Sequence, residues 1–521
     1  MQDYSKLQNG SDIRGIVLPG PDGQKPNLGR EATYRITRGF LLWLSSKTGK
    51  DFTDLKVAIG HDSRITAVEL KEAIIDTARG AGVVPVDCGL ASTPAMFMST
   101  IFPEFDCDGA VMITASHLPF NRNGFKYFTK DGGLNKEDIT EILAYADSDN
   151  VMQSEFPPLR GMPPKVISAD LMQRYSDHLK QLIMDQVSAQ VELEDKSRPL
   201  AGLKIMVDAG NGAGGFYATH VLEPLGADIS ASQFLEPDGN FPNHIPNPES
   251  KEAMASASAQ VKASGADYGL VFDTDVDRFS AIDKDGNEIN RDKIVAMASA
   301  LIAREHPGTT IVTDSITSPE LTEYLENCLG LKHLRFKRGY RNVINKAIEL
   351  NNSGIDSQLA IETSGHAAYQ ENYFLDDGAY LATKMVIKSA QLRHVGADIS
   401  CLIEPLKMPA EDAEHRLPLE NIPSGTSFSD VADKALEALA DWDKIDGQSI
   451  ALVEPNYEGV RLNFDIDASK ATALGLSGPV TGWCLLRKSL HDPIMPLNIQ
   501  TSKGATDDIL LLIKHALANY I

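Results

Sequence analysis

The chain has 521 residues and is acidic, with 72 Asp and Glu residues against 49 Lys and Arg residues and a formal net charge of −23 at pH 7. Such a charge argues against broad binding to nucleic acids or to anionic membranes, because both depend on a positive field. Hydrophobic residues make up 42% and charged residues 23%, as in ordinary globular proteins, and the length predicts three or four domains.

The N-terminal stretch MQDYSKLQNGSDIRG lacks the apolar core of a signal peptide, and no later run approaches the roughly 18 apolar residues of a membrane span. The five cysteines are odd in number, widely spaced and without a Cys-x-x-Cys pair, which fits a reducing compartment. We therefore expect a cytoplasmic monomer or homodimer that binds neither membrane nor nucleic acid.

Three stretches share one plan, in which a short apolar strand is followed by a polar loop, an amphipathic helix and a glycine. They begin with LKVAIGHDSR at Leu55, LKIMVDAGNGAGG at Leu203 and TTIVTDSITSP at Thr309. Strands that alternate with such helices predict βαβ units in a parallel or mixed sheet. We expect three related α/β domains and a smaller C-terminal α+β domain, in residues 1–168, 169–297, 298–412 and 413–521. Ligands of such folds bind beyond the carboxyl ends of strands, so functional residues should follow strands.

The first candidate loop lies in ITASHLPFNRNGFKYF, which runs from Ile113 to Phe128. Ser116 and His117 follow the buried strand DGAVMIT, and Lys126 comes a few residues later. A Ser-His pair suggests a hydrolase, but the nucleophile elbow requires G-x-S-x-G and both glycines are missing here. The alternative is a polar loop with a capping serine.

The second candidate loop, KIMVDAGNGAGG, matches the dinucleotide fingerprint G-x-G-x-x-G at Gly210, Gly212 and Gly215. It follows a strand, and Glu236 lies roughly where a ribose-binding acid would be. A nucleotide-dependent oxidoreductase is therefore an alternative. However, glycine-rich turns between strand and helix are frequent in any α/β protein.

The third candidate loop is YGLVFDTDVDRF, in which a buried strand is followed by Asp273, Asp275 and Asp277. Their spacing of two predicts that an extended backbone places all three carboxylates on one face. Three such carboxylates repel one another unless a cation is present, and hard oxygen ligands indicate Mg²⁺. An EF-hand is excluded, because its sixth and twelfth positions are occupied by Arg278 and Lys284.

Two further loops carry polar groups after strands. In AIETSGHAAY, alternating polar residues flank Gly365 and could hydrogen-bond to the hydroxyl groups of a polyol; they are Glu362, Ser364 and His366. In GWCLLRKSLHDP, cations and hydrogen-bond donors of the kind that bind a phosphate dianion follow a strand; they are Arg487, Lys488, Ser489 and His491. Each pattern alone also fits an ordinary surface loop.

Together, GSDIRG, TASHLPFNRNGFK and DTDVDR resemble the α-D-phosphohexomutases, the superfamily of phosphoglucomutase, phosphomannomutase and phosphoglucosamine mutase. The resemblance reaches RKSLHDP near the C-terminus and so covers nearly the whole chain. It implies three α/β domains and a final phosphate-binding domain around a central cleft. It also implies an isomerase that interconverts hexose 1-phosphate and hexose 6-phosphate, of glucose, mannose or both. The reaction would pass through a phosphoserine and a hexose 1,6-bisphosphate, which is both intermediate and activator.

The resemblance further implies roles for individual residues. Ser116 would be the phosphoserine, and Asp273, Asp275 and Asp277 would hold Mg²⁺ together with a seryl oxygen. Arg14, His117 and Lys126 match positions at the phosphoryl-transfer centre, with Lys126 as the general base. The residues implied in binding the sugar phosphate are Arg278, Gly339, Tyr340, Arg341, Glu362, Ser364, His366, Arg487, Lys488, Ser489 and His491.

Two motifs depart from the family pattern. RKSLHDP replaces R-x-S-G-T-E-P, with Leu490 for Gly and His491 for Thr, and a Leu does not readily allow the close backbone approach of a Gly. The sugar loop has Thr363 where the mannose/glucose branch has Met and where phosphoglucosamine mutases tend to have Gln. A phosphoglucosamine mutase and a non-catalytic sugar-phosphate-binding protein therefore remain alternatives.

Overall fold

A computed structural model gives the fold and describes residues 3–148, 162–420, 422, 425–442, 449–489 and 493–521. The chain divides into two compact units. The first comprises Met1–Ile302 and Gln358–Leu402, and the second comprises Ala303–Ser357 and Ile403–Ile521. Within the described ranges, no helix is both long enough and apolar enough to cross a membrane.

The N-terminal part of the first unit is a mixed sheet flanked by helices. Its strands are β1 (Gln8–Asn9), β2 (Asp12–Ile16), β3 (Lys56–His61), β4 (Val84–Leu90), β5 (Gly109–Ile113), β6 (Arg122–Thr129), β7 (Gly132–Gly133) and β8 (Ile167–Ser168). They are ordered β1-β2-β6-β5-β3-β4-β8, with β7 paired to β6. The helices are α1 (Arg30–Thr48), α2 (Ala67–Ala81), α3 (Thr93–Met98) and α4 (Lys136–Asp147). Strand β3 runs parallel to β4 and β5, as the βαβ pattern predicts.

A second mixed sheet follows in the first unit. Its strands are β9 (Ile205–Asp208), β10 (Tyr268–Phe272), β11 (Phe279–Asp283) and β12 (Glu288–Ile289), in the order β12-β11-β10-β9. The helices are α5 (Leu171–Ser188), α6 (Lys251–Ser264) and α7 (Asp292–Ile302), together with a π-helix at Tyr217–Leu222. All residues of β10 are buried, and the loop that follows its carboxyl end is buried too.

The next segment contributes elements to each unit. In the second unit, β13 (Thr310–Thr313) runs parallel to β14 (Lys332–Arg335). The helices there are α8 (Pro319–Glu323), a π-helical continuation at Tyr324–Cys328, and α9 (Tyr340–Asn352). In the first unit, an antiparallel set is formed by β15 (Leu359–Ile361), β16 (Ala367–Tyr369) and β17 (Leu375–Asp376), followed by α10 (Gly378–Arg393).

The C-terminal part of the second unit is an antiparallel sheet with helices. Its strands are β18 (Glu411–Pro418), β19 (Ile450–Leu452), β20 (Val460–Ile466), β21 (Val480–Leu486) and β22 (Ile494–Lys503), in the order β18-β22-β21-β20-β19. The helices are α11 (Phe428–Ala440), α12 (Ala468–Leu474) and α13 (Thr506–Ala516). Residues from both layers form one apolar core, as expected of an α+β domain.

Short 3₁₀-helices complete the described elements, at Tyr4–Leu7, Pro21–Gly23, Phe52–Asp54, Gln370–Asn372 and Ile399–Leu402. The α/β fold class is confirmed, and the three repeated strands are present as β3, β9 and β13. The helices of the second and third repeats differ from the expectation, because they are wound partly as π-helix. The four domain boundaries and the central cleft stay predictions.

Candidate active site

Ser116 lies in a tight loop directly after β5, whose five residues are all buried. Its φ of 49° is in the left-handed region, which residues with a side chain seldom adopt. The Ser116 hydroxyl donates to Oδ2 of Asp273 at 2.9 Å, and His117 Nδ1 lies 3.3 Å from Oγ of Ser116. The loop therefore aims this hydroxyl at the acidic cluster.

Asp273, Asp275 and Asp277 are fully buried, and one ligand atom from each lies within 4.8 Å of the others. Their predicted convergence is present, but the predicted extended backbone is wrong. The segment after β10 is a turn, in which Val276 has a φ of 67°. The turn, rather than the alternation of a strand, brings the three carboxylates together.

The three buried carboxylates are only partly neutralised by the positive charge of nearby residues. Burial raises the pKa of Asp273 well above its ordinary value, and repulsion from Asp277 and Asp275 raises it further. Burial would also raise the pKa of Asp277, but the nearby cations, above all Lys126, hold that pKa well below its ordinary value. Lys126 donates directly to Oδ2 of Asp277. One cation thus compensates only part of the cluster.

The remaining oxygens suit a divalent metal. Oδ1 of Asp275 and Oδ1 of Asp277 are buried and accept no hydrogen bond from any described residue. Hard carboxylate oxygens that converge without donors are the ligand set of Mg²⁺-type cations. The residues present therefore fit a metal ion beside Ser116.

Positively charged side chains surround the Ser116 hydroxyl and the carboxylates. Arg14 donates to the Thr114 carbonyl and, at 2.8 Å, to Oδ2 of Asp12. Arg278 donates its backbone N–H to Oδ1 of Asp273 at 3.2 Å, and its guanidinium, 3.2 Å from Oε2 of Glu249, lowers the pKa of Asp273 through its charge. His117 differs, because burial and then repulsion from Arg278 lower its pKa to about 3 and leave it neutral at pH 7. The positive charge at this site is therefore carried by Arg14, Lys126 and Arg278.

The predicted sugar loop packs against the acidic loop within the same unit. Gly365 has a φ of 91°, and a Cβ there would lie 2.4 Å from the Phe279 carbonyl oxygen. The Phe279 N–H donates to the Gly365 carbonyl at 3.2 Å. His366 Nδ1 lies 2.5 Å from Oδ2 of Asp376 and 3.8 Å from Oδ1 of Asp277. The glycine thus allows the contact that brings His366 to the acidic cluster.

Contact with the acidic loop accounts for Gly212, the central glycine of the fingerprint after β9. A Cβ at Gly212 would lie 2.6 Å from the Thr274 carbonyl oxygen. The Ala213 N–H donates to that same carbonyl at 2.8 Å. Glu236, the expected ribose ligand, is exposed, and its backbone carbonyl accepts from Asn211. The central glycine of the fingerprint is thus explained by packing against Thr274, between Asp273 and Asp275, rather than by a dinucleotide.

The other predicted substrate residues lie in the second unit. Gly339 caps α9 with a φ of 110°, and Tyr340 and Arg341 form the first turn of that helix. Arg487 is buried after β21 and donates to Oδ1 of Asn498 at 2.8 Å, and Lys488 forms an ion pair with Asp433. Ser489 is half-buried. His491 and the substituted Leu490 lie outside the described residues.

Sequence reasoning missed two residues that contact predicted site residues, one in each unit. Thr93 donates through Oγ1 to Oδ2 of Asp275 at 2.5 Å and through its N–H to the Asp275 carbonyl at 2.8 Å. In the second unit, Glu458 accepts from Ser315 Oγ at 2.6 Å and from the Arg338 N–H at 3.1 Å, and it lies 4.0 Å from Arg487. Thr93 could have been found from the sequence, because it lies just after β4, where functional residues are expected. Glu458 lies in a polar turn, and nothing in the sequence marks it as a site residue.

Comparisons with known proteins identify the family. Models of α/β/α domains I, II and III of phosphoglucomutase/phosphomannomutase match residues 5–151, 173–286 and 290–404. A phosphoglucomutase of Neisseria gonorrhoeae is 30% identical over 72% of this chain and 73% of its own length. The chain belongs to the phosphoglucomutase/phosphomannomutase family. It is therefore an isomerase of the phosphotransferring mutase type, as predicted.

Other members of the family match almost the entire chain. A phosphomannomutase/phosphoglucomutase of Pseudomonas syringae pv. tomato is 28% identical over 97% of this chain and 93% of its own. The crystal structure of a phosphoglucomutase/phosphomannomutase family protein from Burkholderia thailandensis covers 100% of this chain and 99% of its own, with a TM-score of 0.75 and 25% identity. The family fold thus extends over the full length.

Proposed function

We propose that this family member interconverts hexose 1-phosphate and hexose 6-phosphate, of glucose, mannose or both. The observation that carries the proposal is the 2.9 Å hydrogen bond from the Ser116 hydroxyl to Asp273 within a buried three-carboxylate cluster. A protein that only binds sugar phosphates needs neither a buried nucleophile nor a metal site. This argues against the non-catalytic alternative.

In the proposed reaction, phosphorylated Ser116 gives its phosphoryl group to the sugar monophosphate. The resulting hexose 1,6-bisphosphate reorients within the site and returns its other phosphoryl group to Ser116. Transfer of this kind depends mainly on positioning and on stabilisation of charge. Arg14 donates to the Thr114 carbonyl, two residues before Ser116. It would both position the transferring phosphoryl group and stabilise its charge.

The metal at this site is proposed to be Mg²⁺, held by Asp273, Asp275, Asp277 and a seryl oxygen. When bound, Mg²⁺ supplies positive charge beside the seryl phosphate. Arg278 holds the acidic turn closed by donating its N–H to Asp273. Lys126 is the proposed general base. As an ammonium group that donates to Asp277, it must release its proton before it can accept one.

The sugar contacts are proposed residue by residue from the family resemblance. In the first unit, Glu362, Ser364 and His366 would bind the hydroxyl groups. In the second unit, the substrate loop and the phosphate loop would contribute Gly339, Tyr340, Arg341, Arg487, Lys488, Ser489 and His491. Thr363 in the sugar loop matches neither the Met of the mannose/glucose branch nor the Gln of the phosphoglucosamine mutases, so the choice of sugar is decided by assay.

We expect the purified chain, with Mg²⁺ and a trace of glucose 1,6-bisphosphate, to convert glucose 1-phosphate to glucose 6-phosphate. Parallel reactions with mannose 1-phosphate and glucosamine 1-phosphate test the sugar. Turnover of glucosamine 1-phosphate alone would identify a phosphoglucosamine mutase instead. If no sugar reacts and intact-mass measurement finds no phosphate on Ser116, the chain is a binder and the proposal fails.

The Thr93 hydroxyl should strengthen the binding of Mg²⁺. Thr93→Val keeps the buried volume but removes the donor to Oδ2 of Asp275. Loss of a hydrogen bond to a metal ligand typically weakens metal affinity about 10- to 100-fold. We therefore expect the Kd for Mg²⁺, measured by titration calorimetry, to rise at least about tenfold. Thr93→Ser, which keeps the hydroxyl, is the matched control, and an unchanged Kd in Thr93→Val would refute this role.

A further inference from the structure

Arg64 contacts the loop that carries Ser116. It is buried, with only 2% of its surface exposed. One terminal nitrogen donates to the carbonyls of Ser116 and Leu118, the latter at 2.5 Å. The other donates to the carbonyls of Pro119 and Arg122, at 2.8 and 3.0 Å. A single guanidinium therefore binds four carbonyls of the loop that carries the nucleophile.

The position of the Arg64 guanidinium is itself fixed by neighbouring groups. Its Nε lies 3.3 Å from Oδ2 of Asp62, and Oδ1 of Asp62 accepts the Arg64 backbone N–H at 2.9 Å. The guanidinium also lies over the ring of Phe241, at 5.3 Å from the ring centroid. Because both terminal nitrogens are bonded to carbonyls and the side chain is almost entirely buried, the guanidinium is not available for a direct contact with substrate.

These contacts bear on the unusual conformation of Ser116. Its left-handed φ is unfavourable for a residue with a side chain and persists only where surrounding contacts enforce it. The Ser116 N–H donates to Thr114 Oγ1 at 2.8 Å, and the Ser116 carbonyl accepts from Arg64. The peptide groups on both sides of Ser116 are thus held, and the hydroxyl lies 2.9 Å from Asp273 as a result.

We propose that Arg64 is a positioning residue for phosphoryl transfer, which holds the Ser116 loop so that the seryl oxygen stays aimed at the acidic cluster. The proposal rests on the proposed function and assigns to Arg64 an effect on the transfer step rather than on sugar binding. It also explains why an arginine is needed, because its planar fork presents two nitrogens to two pairs of carbonyls. A lysine has the charge but only one nitrogen.

Arg64→Lys should lower the rate of transfer with little effect on substrate binding. A displacement of about 1 Å in a reacting group can cost about 100-fold in rate. We expect kcat to fall about 100-fold while the KM for glucose 1-phosphate changes less than about threefold. The rate at which glucose 1,6-bisphosphate phosphorylates Ser116, followed by intact mass, should fall in parallel. This second readout does not depend on turnover.

Controls separate positioning from folding. Arg79→Lys changes a half-buried arginine of α2 that donates to the Pro164 carbonyl, away from the Ser116 loop, and should leave both rates unchanged. Asp62→Asn removes the ion pair but keeps the volume, so it should lower both rates by a smaller factor than Arg64→Lys. Thermal unfolding of each variant reports the folded fraction.

Three outcomes would overturn the proposal. The first is a phosphorylation rate and kcat of Arg64→Lys within about threefold of the wild type. The second is a loss that only matches the unfolded fraction, which would make Arg64 purely structural. The third is a wild-type chain that neither turns over nor becomes phosphorylated at Ser116. In that case the proposed function fails too, whereas the first two results leave it intact.

Discussion

Ser116→Ala is expected to abolish turnover of hexose phosphate and to remove the covalent phosphate from the enzyme. The Ser116 oxygen is the atom aimed at Asp273, at 2.9 Å, and alanine offers no oxygen to carry the phosphoryl group. Turnover is measured by coupled detection of glucose 6-phosphate. Phosphorylation is measured by intact mass and peptide mapping after incubation with glucose 1,6-bisphosphate.

Ser502→Ala is the matched control for this experiment. Ser502 is exposed, and its hydroxyl donates only weakly to the Thr481 carbonyl, at 3.3 Å. Both activity and phosphate content should remain those of the wild type. If Ser116→Ala still carries one phosphate and still turns over, the nucleophile is another residue.

Asp275→Asn should reduce turnover by orders of magnitude and weaken Mg²⁺ binding. The substitution keeps the shape of the side chain but removes one negative charge from the ligand set. Oδ1 of Asp275 is buried and accepts no hydrogen bond from a described residue, and an amide NH₂ in its place is a donor that cannot act as a metal ligand. If the lost charge stabilisation is about 4 kcal/mol, kcat falls about a thousandfold.

The measurements for Asp275→Asn are kcat and a calorimetric titration with Mg²⁺. Asp285→Asn, in the exposed turn that follows β11, is the control and should change neither quantity. Because the binding readout is independent of catalysis, it distinguishes a lost metal site from a misplaced substrate. Activity that survives both Ser116→Ala and Asp275→Asn would refute the assignment of this site.

An acidic chain can still process anionic substrates because charge acts locally. At about 4 Å and an effective dielectric of about 20, two unit charges interact by about 4 kcal/mol, so two phosphate dianions would repel by on the order of 10 kcal/mol. Around Ser116 this repulsion is opposed by the cations Arg14, Lys126 and Arg278 and by the proposed Mg²⁺. The net charge of −23 instead describes the molecule as a whole.

Much of the fold and part of the site could be read from the sequence. Apolar runs that end in polar loops correctly located β5 and β10, and with them the loops of Ser116 and Asp273. The acidic trio was recognised as a cluster because like charges after a buried strand require compensation. Its geometry was not, because the turn depends on a left-handed Val276, a residue type that gives no local signal for that conformation.

The glycine-rich turn after β9 shows how one local pattern can serve two purposes. In the sequence, G-x-G-x-x-G fits both a phosphate-binding turn and a glycine-rich turn that only packs against the rest of the protein. In the fold, Gly212 approaches the Thr274 backbone, a partner more than sixty residues away in the chain. Which of the two readings applies is decided by that distant neighbour.

The main strands, the loops that follow them and the acidic cluster could be recognised from the sequence, because each of these depends on neighbouring residues in the chain. How the Ser116 loop and the aspartates are held depends on contacts between distant parts of the chain. Arg64 binds carbonyls more than fifty positions away, and Thr93 donates to Asp275 across 182 positions. Such contacts form only when the ends of strands that are distant in the sequence lie close together in the fold, and no local pattern of side chains predicts them.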